Sequence, residues 1–141
     1  MPEQLLQFYH SLLLQGMKRS HVPSSWLEAF FMLETHLQQI DNGEKQVVFL
    51  DELPWMDTPR SGFITALESF WNSWACHRHN MMLVVSGSAN SWVQDKLINN
   101  HGGLYGRLTY QIKLAPFSLK ECERFYKMKQ IKVSSINSLF C

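Results

Sequence analysis

Two adjacent acids at the end of an apolar run are the residues best placed to do chemistry. Asp51 and Glu52 follow directly on residues 46–50, which are mostly apolar and rich in β-forming types. A short continuous run of this kind is typical of a strand covered on both faces of a parallel sheet. At the end of such a strand, one carboxylate could stand near a Mg²⁺ ion that bridges phosphates, and the next could reach a water for in-line attack. Asp51 fits the first role and Glu52 the second, unless both acids only begin a solvated loop before Pro54.

A second apolar run ends in hydroxyl groups. Residues 81–85 are followed at once by Ser86, Gly87 and Ser88. The carboxyl ends of parallel strands gather at one edge of a sheet, and α/β proteins bind their ligands at that edge. The sequence therefore predicts that the two acids and the two serines share one edge.

Helical patterns separate these runs and predict the elements that position them. Apolar spacing, capping residues and Gly or Pro stops predict five helices. The first covers residues 3–15, the second runs from the capping pair Ser25 and Glu28 to about residue 40, and the third runs from a cap at Asp57 or Thr58 to about Cys76. The fourth covers residues 90–99, and the fifth begins at the capping pair Ser118 and Glu121. A third strand is expected over residues 110–114. This order predicts an α/β fold, a parallel sheet with flanking helices.

Composition limits the class of protein. The chain has 141 residues, 45% of them hydrophobic and 18% charged, so we expect one globular domain or part of one. Its 13 basic and 12 acidic side chains give no broad electrostatic reason to bind nucleic acid or an anionic membrane. No apolar run approaches the ~18 residues that span a bilayer, and the N-terminus lacks a secretory pattern. We therefore expect a cytoplasmic protein without a membrane partner.

The acids and several segments around them resemble a known class of ATPase. Residues 47–52 resemble a Walker B motif. The chain as a whole resembles prokaryotic ATP-binding proteins often described as archaeal-type ATPases, which are similar to AAA+ and STAND P-loop ATPases. The resemblance covers residues 1–126 and is carried by DELPWMD at 51–57, FWNSWA at 70–75, GSA at 87–89, NNHGGL at 99–104 and LAPF at 114–117.

This resemblance implies an activity and a role for each candidate residue. It implies a core that binds and hydrolyses ATP, with ATP and Mg²⁺ as cofactors. Asp51 would be the Mg²⁺ ligand and Glu52 the residue that polarises water. Ser86 or Ser88 would sense the γ-phosphate, and Arg107 would neutralise charge in the transition state. The nucleotide is thus the expected ligand, and the choice between a protein and a DNA partner stays open.

The sequence departs from the family pattern at the phosphate-binding loop. A G-x-x-x-x-G-K-[ST] loop should precede the first helix, but none of the seven glycines is followed by Lys-Ser or Lys-Thr. We therefore predict a fragment that lacks the Walker A region. Residues 1–126 would form a partial ATPase core, and residues 127–141 the truncated start of a lid or a frayed tail. Binding of Mg·ATP by the chain alone is expected to be weak or absent.

The missing loop also predicts an incomplete sheet. In the strand order that the resemblance implies, the loop-bearing strand lies centrally, between residues 81–85 and 110–114. Only the strands at 46–50 and 81–85 would remain neighbours. Unpaired apolar edges promote association, so we expect the chain to be poorly soluble or to self-associate.

A second hypothesis belongs to a different class. The chain could be a non-catalytic module that binds protein or nucleic acid, or a decayed gene product without activity. A zinc site is not expected at residues 76–79, CHRH, because neighbouring residues in one loop cannot surround the ion. Trp71 and Trp74 stand at helical spacing and are expected in the core rather than on a base-stacking surface.

Overall fold

The computed structural model describes residues 2–88, 90–99, 102–104 and 106–129. The chain divides into two compact units, Met1–Leu108 and Thr109–Cys141. The first unit combines helices with a two-stranded parallel sheet, which agrees with the predicted α/β class.

Two amphipathic helices begin the first unit. They are α1, Pro2–Leu14, and α2, Trp26–Gln39, and both lie close to their predicted bounds. Ser25 caps α2 as predicted, because its side chain accepts a hydrogen bond from the Glu28 backbone N–H at 3.2 Å. The local capping signal therefore fixes where α2 begins.

The sheet contains the two apolar runs that precede the candidate site. β1 is Gln46–Leu50 and β2 is Met81–Val85, as the sequence predicts. The strands are parallel neighbours, with Val48 opposite Leu83. Their carboxyl ends therefore lie side by side.

The two faces of β1 have different surroundings. Val48 and Leu50 are buried against the helices, whereas Val47 and Phe49 on the opposite face are each 59% exposed. The expectation that this strand is covered on both faces is therefore wrong: among the described residues, helices of the first unit cover one face only.

The connection from β1 to β2 begins with a short helix that the sequence analysis does not predict. α3 is Leu53–Met56, and the longer α4, Phe63–Ser73, follows it; a 3₁₀ turn, Ala75–His77, then leads to β2. The predicted helix start at Asp57 or Thr58 is wrong. α4 begins after Gly62, whose φ of 71° lies in the left-handed region that glycine adopts most readily.

Aromatic side chains fill the core between α2 and α4. Trp26 and Phe63 meet edge to face with their ring centroids 4.8 Å apart, and Phe30 stacks on Phe70 at 5.3 Å. Trp26 is 1% exposed and Phe63 is fully buried. Two half-buried aromatic residues pack against this cluster, in agreement with their predicted core position: Trp71 and Trp74.

The segment after β2 is helical over almost all of the predicted range. α5, Asn90–Val93, continues directly into a π-helical stretch, Gln94–Ile98. Leu97 is buried in the hydrophobic core and anchors the stretch to the rest of the unit.

The second unit contains one helix in its described part. α6 is Leu119–Met128, and the predicted capping box is present: Ser118 and Glu121 bind each other's backbone N–H groups. The predicted strand at residues 110–114 is not formed, because the described part of the second unit contains no neighbouring strand to complete its hydrogen bonds. The predicted tail lies outside the described residues from residue 130 onward.

None of the helices in the described ranges has both the length and the apolar character needed to cross a bilayer.

Candidate functional site

The candidate site lies where β1 and β2 end, and Ser86 is at its centre. The Ser86 hydroxyl donates a hydrogen bond to Asp51 Oδ1 and accepts one from the Glu52 backbone N–H at 3.1 Å. Backbone bonds continue the contact between the two strands: Ser86 N donates to Leu50 O at 3.0 Å, and Leu53 N donates to Ser86 O at 3.0 Å. The first residue after β2 thus holds both acids after β1.

Glu52 is turned away from the strand direction by its backbone. Its φ of 54° and ψ of 57° are left-handed, an uncommon conformation for a residue with a Cβ atom. Its carboxylate accepts two hydrogen bonds from Ser88, one from the backbone N–H at 3.1 Å and one from the hydroxyl at 2.7 Å. Each acid is therefore bound to a different serine, Asp51 to Ser86 and Glu52 to Ser88.

Close packing between the two loops depends on Gly87. A Cβ atom at this position would lie 3.0 Å from Pro54 Cδ and 3.2 Å from Val93 Cγ2, tighter than ordinary contact. The loops are also joined by the Trp92 indole, whose Nε1 donates to Asp57 Oδ2 at 3.0 Å. The sequence analysis did not identify these residues as part of the site, although the Pro54 and Gly87 types already suggest tight turns.

The donors at this edge fit a hard divalent cation bound together with phosphates. Mg²⁺ prefers oxygen ligands and commonly takes only one or two carboxylates, completing its shell with water and phosphate oxygens. Asp51 is exposed and offers a carboxylate, with the Ser86 hydroxyl beside it. Among the described residues no group of three or more His, Cys, Asp or Glu side chains could hold a metal by itself. Asp51 and Ser86 therefore offer oxygen donors of the type that Mg²⁺ takes.

Arg107 is not brought into contact with either acid. Its side chain is exposed, and within the ranges that the structure describes no ion pair joins it to a carboxylate. Its backbone N–H donates to Leu104 O at 3.1 Å, which closes a turn. The four other predicted site residues, Asp51, Glu52, Ser86 and Ser88, form one hydrogen-bonded cluster, and Arg107 stands apart from it.

The turn before Arg107 is attached to α4. Gly103 N donates to Glu68 Oε1 at 2.9 Å, and Asn72 Nδ2 donates to Gly103 O at 2.9 Å. A Cβ atom at Gly103 would lie only 2.8 Å from Asn72 Nδ2, so glycine permits this approach. Glu68 and Asn72 are not among the site residues that the sequence predicts.

The chain was compared with protein-family models, with curated proteins and with solved structures, and none of them matches it.

Proposed function

We propose that this chain carries the acidic half of an ATP-hydrolysing core similar to those of AAA+ and STAND ATPases. One observation carries the proposal: two adjacent acids at the end of β1 are hydrogen-bonded to two serine side chains just after β2. Hydrolysis of a phosphoanhydride needs carboxylate oxygens for the cation, a group that orients water, and polar hydrogens directed at the phosphate. In this proposal, Asp51, Glu52 and the serine hydroxyls would supply these groups.

The two acids have separate tasks in this proposal. Asp51 is exposed and would contribute an oxygen to Mg²⁺, which on binding with the nucleotide would neutralise negative charge on the phosphates. Glu52 would accept a hydrogen bond from the attacking water and so orient it. The left-handed backbone of Glu52 supports this division, because it directs the second carboxylate toward Ser88 rather than along β1.

The geometry favours Ser88 over Ser86 as the sensor of the γ-phosphate. Ser86 is half-buried, and its hydroxyl both donates to Asp51 and accepts from Glu52 N. Ser88 is exposed, so its hydroxyl can turn from Glu52 to a phosphate oxygen without leaving a buried group unpaired. We therefore assign the sensing role to Ser88 and a positioning role to Ser86.

The proposed core needs two further parts, an arginine and a phosphate-binding loop. Arg107 is exposed and is proposed to neutralise charge on the phosphates in the transition state. The phosphates also need a cradle of backbone N–H groups and a lysine, and the 141 residues contain no G-x-x-x-x-G-K-[ST] sequence. We propose that another polypeptide segment supplies this loop.

Calorimetric titration with Mg·ATP tests the acidic site. We expect the chain alone to bind Mg·ATP weakly, because the main phosphate contacts are missing, and we expect Asp51→Ala to abolish that binding. Glu44→Ala is a matched control, since Glu44 is an exposed acid at the opposite end of β1. Measurable binding of equal strength by the wild type and Asp51→Ala would contradict the proposed site, and tight binding by the chain alone would contradict the need for a separate loop.

Reconstitution with a P-loop segment tests the catalytic assignment. In that complex, Glu52→Gln should keep Mg·ATP affinity and lower kcat by about 100-fold or more, because it removes only the group that orients water. Hydrolysis at the wild-type rate by this variant would show that Glu52 does not act on the water. A complex that binds no Mg·ATP with either wild-type or variant chain would overturn the ATPase proposal itself.

A non-catalytic module is the second candidate, and one observation favours it. Both acids already accept hydrogen bonds from within the chain, so the cluster can also have a purely structural role, in which it links the ends of β1 and β2. In that case Asp51→Asn and Glu52→Gln would change the stability of the sheet and leave nucleotide titrations without any specific heat.

A further inference from the structure

The outer edge of β1 has unpaired backbone groups. Gln46 N donates to Asn80 O at 2.8 Å, and Leu50 O accepts from Ser86 N at 3.0 Å, so these two residues direct their backbone groups toward β2. In a parallel ladder this direction alternates along the strand. Val47 and Phe49 therefore present their N–H and C=O groups to the side of β1 that faces away from β2.

A groove runs along this outer edge. It has a volume of about 820 Å³, and its lining includes every residue of β1 together with one side of α1 and of α2. Its apolar wall includes Phe8 of α1 and Leu33 of α2. The groove is thus bounded by a strand edge on one side and by helices on the other, which is the shape that an added strand would fill.

Two glutamines in the wall of the groove each carry a buried acceptor without a partner. Gln4 Oε1 and Gln46 Oε1 are buried, and neither has a hydrogen-bond partner among the described residues. Both glutamines line the groove, and the Gln46 amide is oriented by donation of its Nε2 to Leu37 O at 2.8 Å. Both oxygens are closed to solvent, so the occupant has to match the open surface of the groove, which is a strand edge and apolar side chains.

The second unit contains a segment with these properties. Residues 110–114, YQIKL, alternate apolar and polar types and equal β1 in length. Tyr110 is 80% exposed, Ile112 is 70% exposed and Leu114 is 88% exposed. Gln111 and Lys113 lie between them. The segment has the pattern of a strand but no partner strand in its own unit's described part.

We propose that the groove beside β1 binds residues 110–114 of a second copy of this chain, as an added strand. This one contact would pair the open edge of β1 and cover the exposed apolar side chains of the segment. The contact is reciprocal in a two-fold dimer, because each copy offers both a groove and a segment. The inference rests on the sheet edge and does not depend on the proposed ATPase function.

Sedimentation equilibrium on the full chain tests this dimer. We expect the wild type to be dimeric, and we expect Ile112→Lys and Val47→Lys each to raise the dimer dissociation constant about tenfold or more, because a lysine blocks strand addition. Both positions are exposed, so neither change disturbs a buried contact within its own unit. Phe31→Lys, at another exposed apolar position on α2, should leave the dimer intact.

A mixture of the two variants separates strand exchange from other kinds of association. The Val47→Lys chain keeps its segment and the Ile112→Lys chain keeps its groove, so their mixture should form a heterodimer through one intact contact. A mixture that stays monomeric would overturn the proposal. A monomeric wild type would also overturn it. If Phe31→Lys raised the dimer dissociation constant as much as the other two variants, the dimer would depend on exposed apolar surface in general and not on strand addition.

Discussion

Asp51 and Glu52 obtain their geometry from two serines that lie far from them in sequence. Ser86 is 35 residues from Asp51, and Ser88 is 36 residues from Glu52. Each carboxylate accepts its hydrogen bond from a different serine, Asp51 from Ser86 and Glu52 from Ser88. The two serines therefore determine where the two carboxylate groups lie at the end of β1.

Loss of the Ser86 hydroxyl should weaken the whole site. Ser86→Ala removes the hydrogen bond to Asp51 and leaves the half-buried Glu52 N–H without its acceptor. We expect the free energy of unfolding to fall by about 1 to 2 kcal/mol, measured by urea denaturation. Ser88→Ala is the control, and it should cost less because its hydroxyl is exposed to water. If the two variants were equally stable, Ser86 would not be the anchor of the cluster.

Any side chain at Gly87 should force the two site loops apart. The added Cβ of Gly87→Ala meets Pro54 Cδ at 3.0 Å and Val93 Cγ2 at 3.2 Å. We expect a loss of about 1 to 3 kcal/mol in the free energy of unfolding. Pro54→Ala in the same chain should recover part of that loss by removing the nearest atoms. Strict additivity of the two changes in a double-mutant cycle would argue against the contact.

At the level of elements, the N-terminus of α2 is fixed by a polar cluster around Glu28. The hydrogen bond with His21 Nε2, at 2.6 Å, lowers the pKa of Glu28 most, and the Ser24 backbone N–H and hydroxyl lower it further, to about 2. The fold therefore favours the charged carboxylate. Its contribution to stability is complete above the ordinary pKa of 4.5 and is lost as the pH falls from 4.5 through about 2.

Thermal unfolding as a function of pH tests this cluster. Glu28→Gln should lower Tm at pH 7, and its difference from the wild type should shrink as the pH falls through the window given by the two pKa values. His21→Ala removes the largest cause of the shift, so it should raise the pKa of Glu28 measured by NMR titration. A difference in Tm that is constant from neutral to acidic pH would show that the Glu28 charge does not matter.

The sheet has an exposed face and an open edge at β1. β1 has one face buried against the helices, while Val47 and Phe49 on the other face remain exposed, and its outer edge borders a groove. Two-stranded parallel sheets rarely stand alone, because both faces of a parallel sheet are normally covered. The open edge and the exposed segment at residues 110–114 are the features on which the proposed dimer rests.

For the whole molecule, the two proposals concern different sides of the same small sheet. Hydrolysis would take place at the carboxyl ends of β1 and β2, whereas the strand exchange would occur along the outer edge of β1. The calorimetric and sedimentation experiments address them separately. If the chain proved monomeric, the proposal for the acid cluster would stand. If it bound no Mg·ATP, the proposal for the groove would stand.

Local signals in the sequence determined the two strands that form, most of the helices and the capping residues of α2 and α6. Strand propensity in the runs of residues 46–50 and 81–85, and the Ser-to-Glu capping pairs, act over a few residues and need no distant partner. The prediction that these two strands are neighbours is confirmed as well. The roles assigned to Asp51, Glu52, Ser86, Ser88 and Arg107 stay predictions, because the structure gives their positions and not their chemistry.

Only the tertiary structure decided which side chains meet. The pairing of Asp51 with Ser86, the approach of Gly87 to Pro54 and the attachment of Gly103 to α4 join residues more than 30 positions apart. The run at residues 110–114 shows the same principle in reverse: its strand pattern is clear, yet a strand forms only when a neighbour accepts its hydrogen bonds. Pattern and propensity are local properties of a chain, whereas burial and pairing are set by partners that the pattern does not specify.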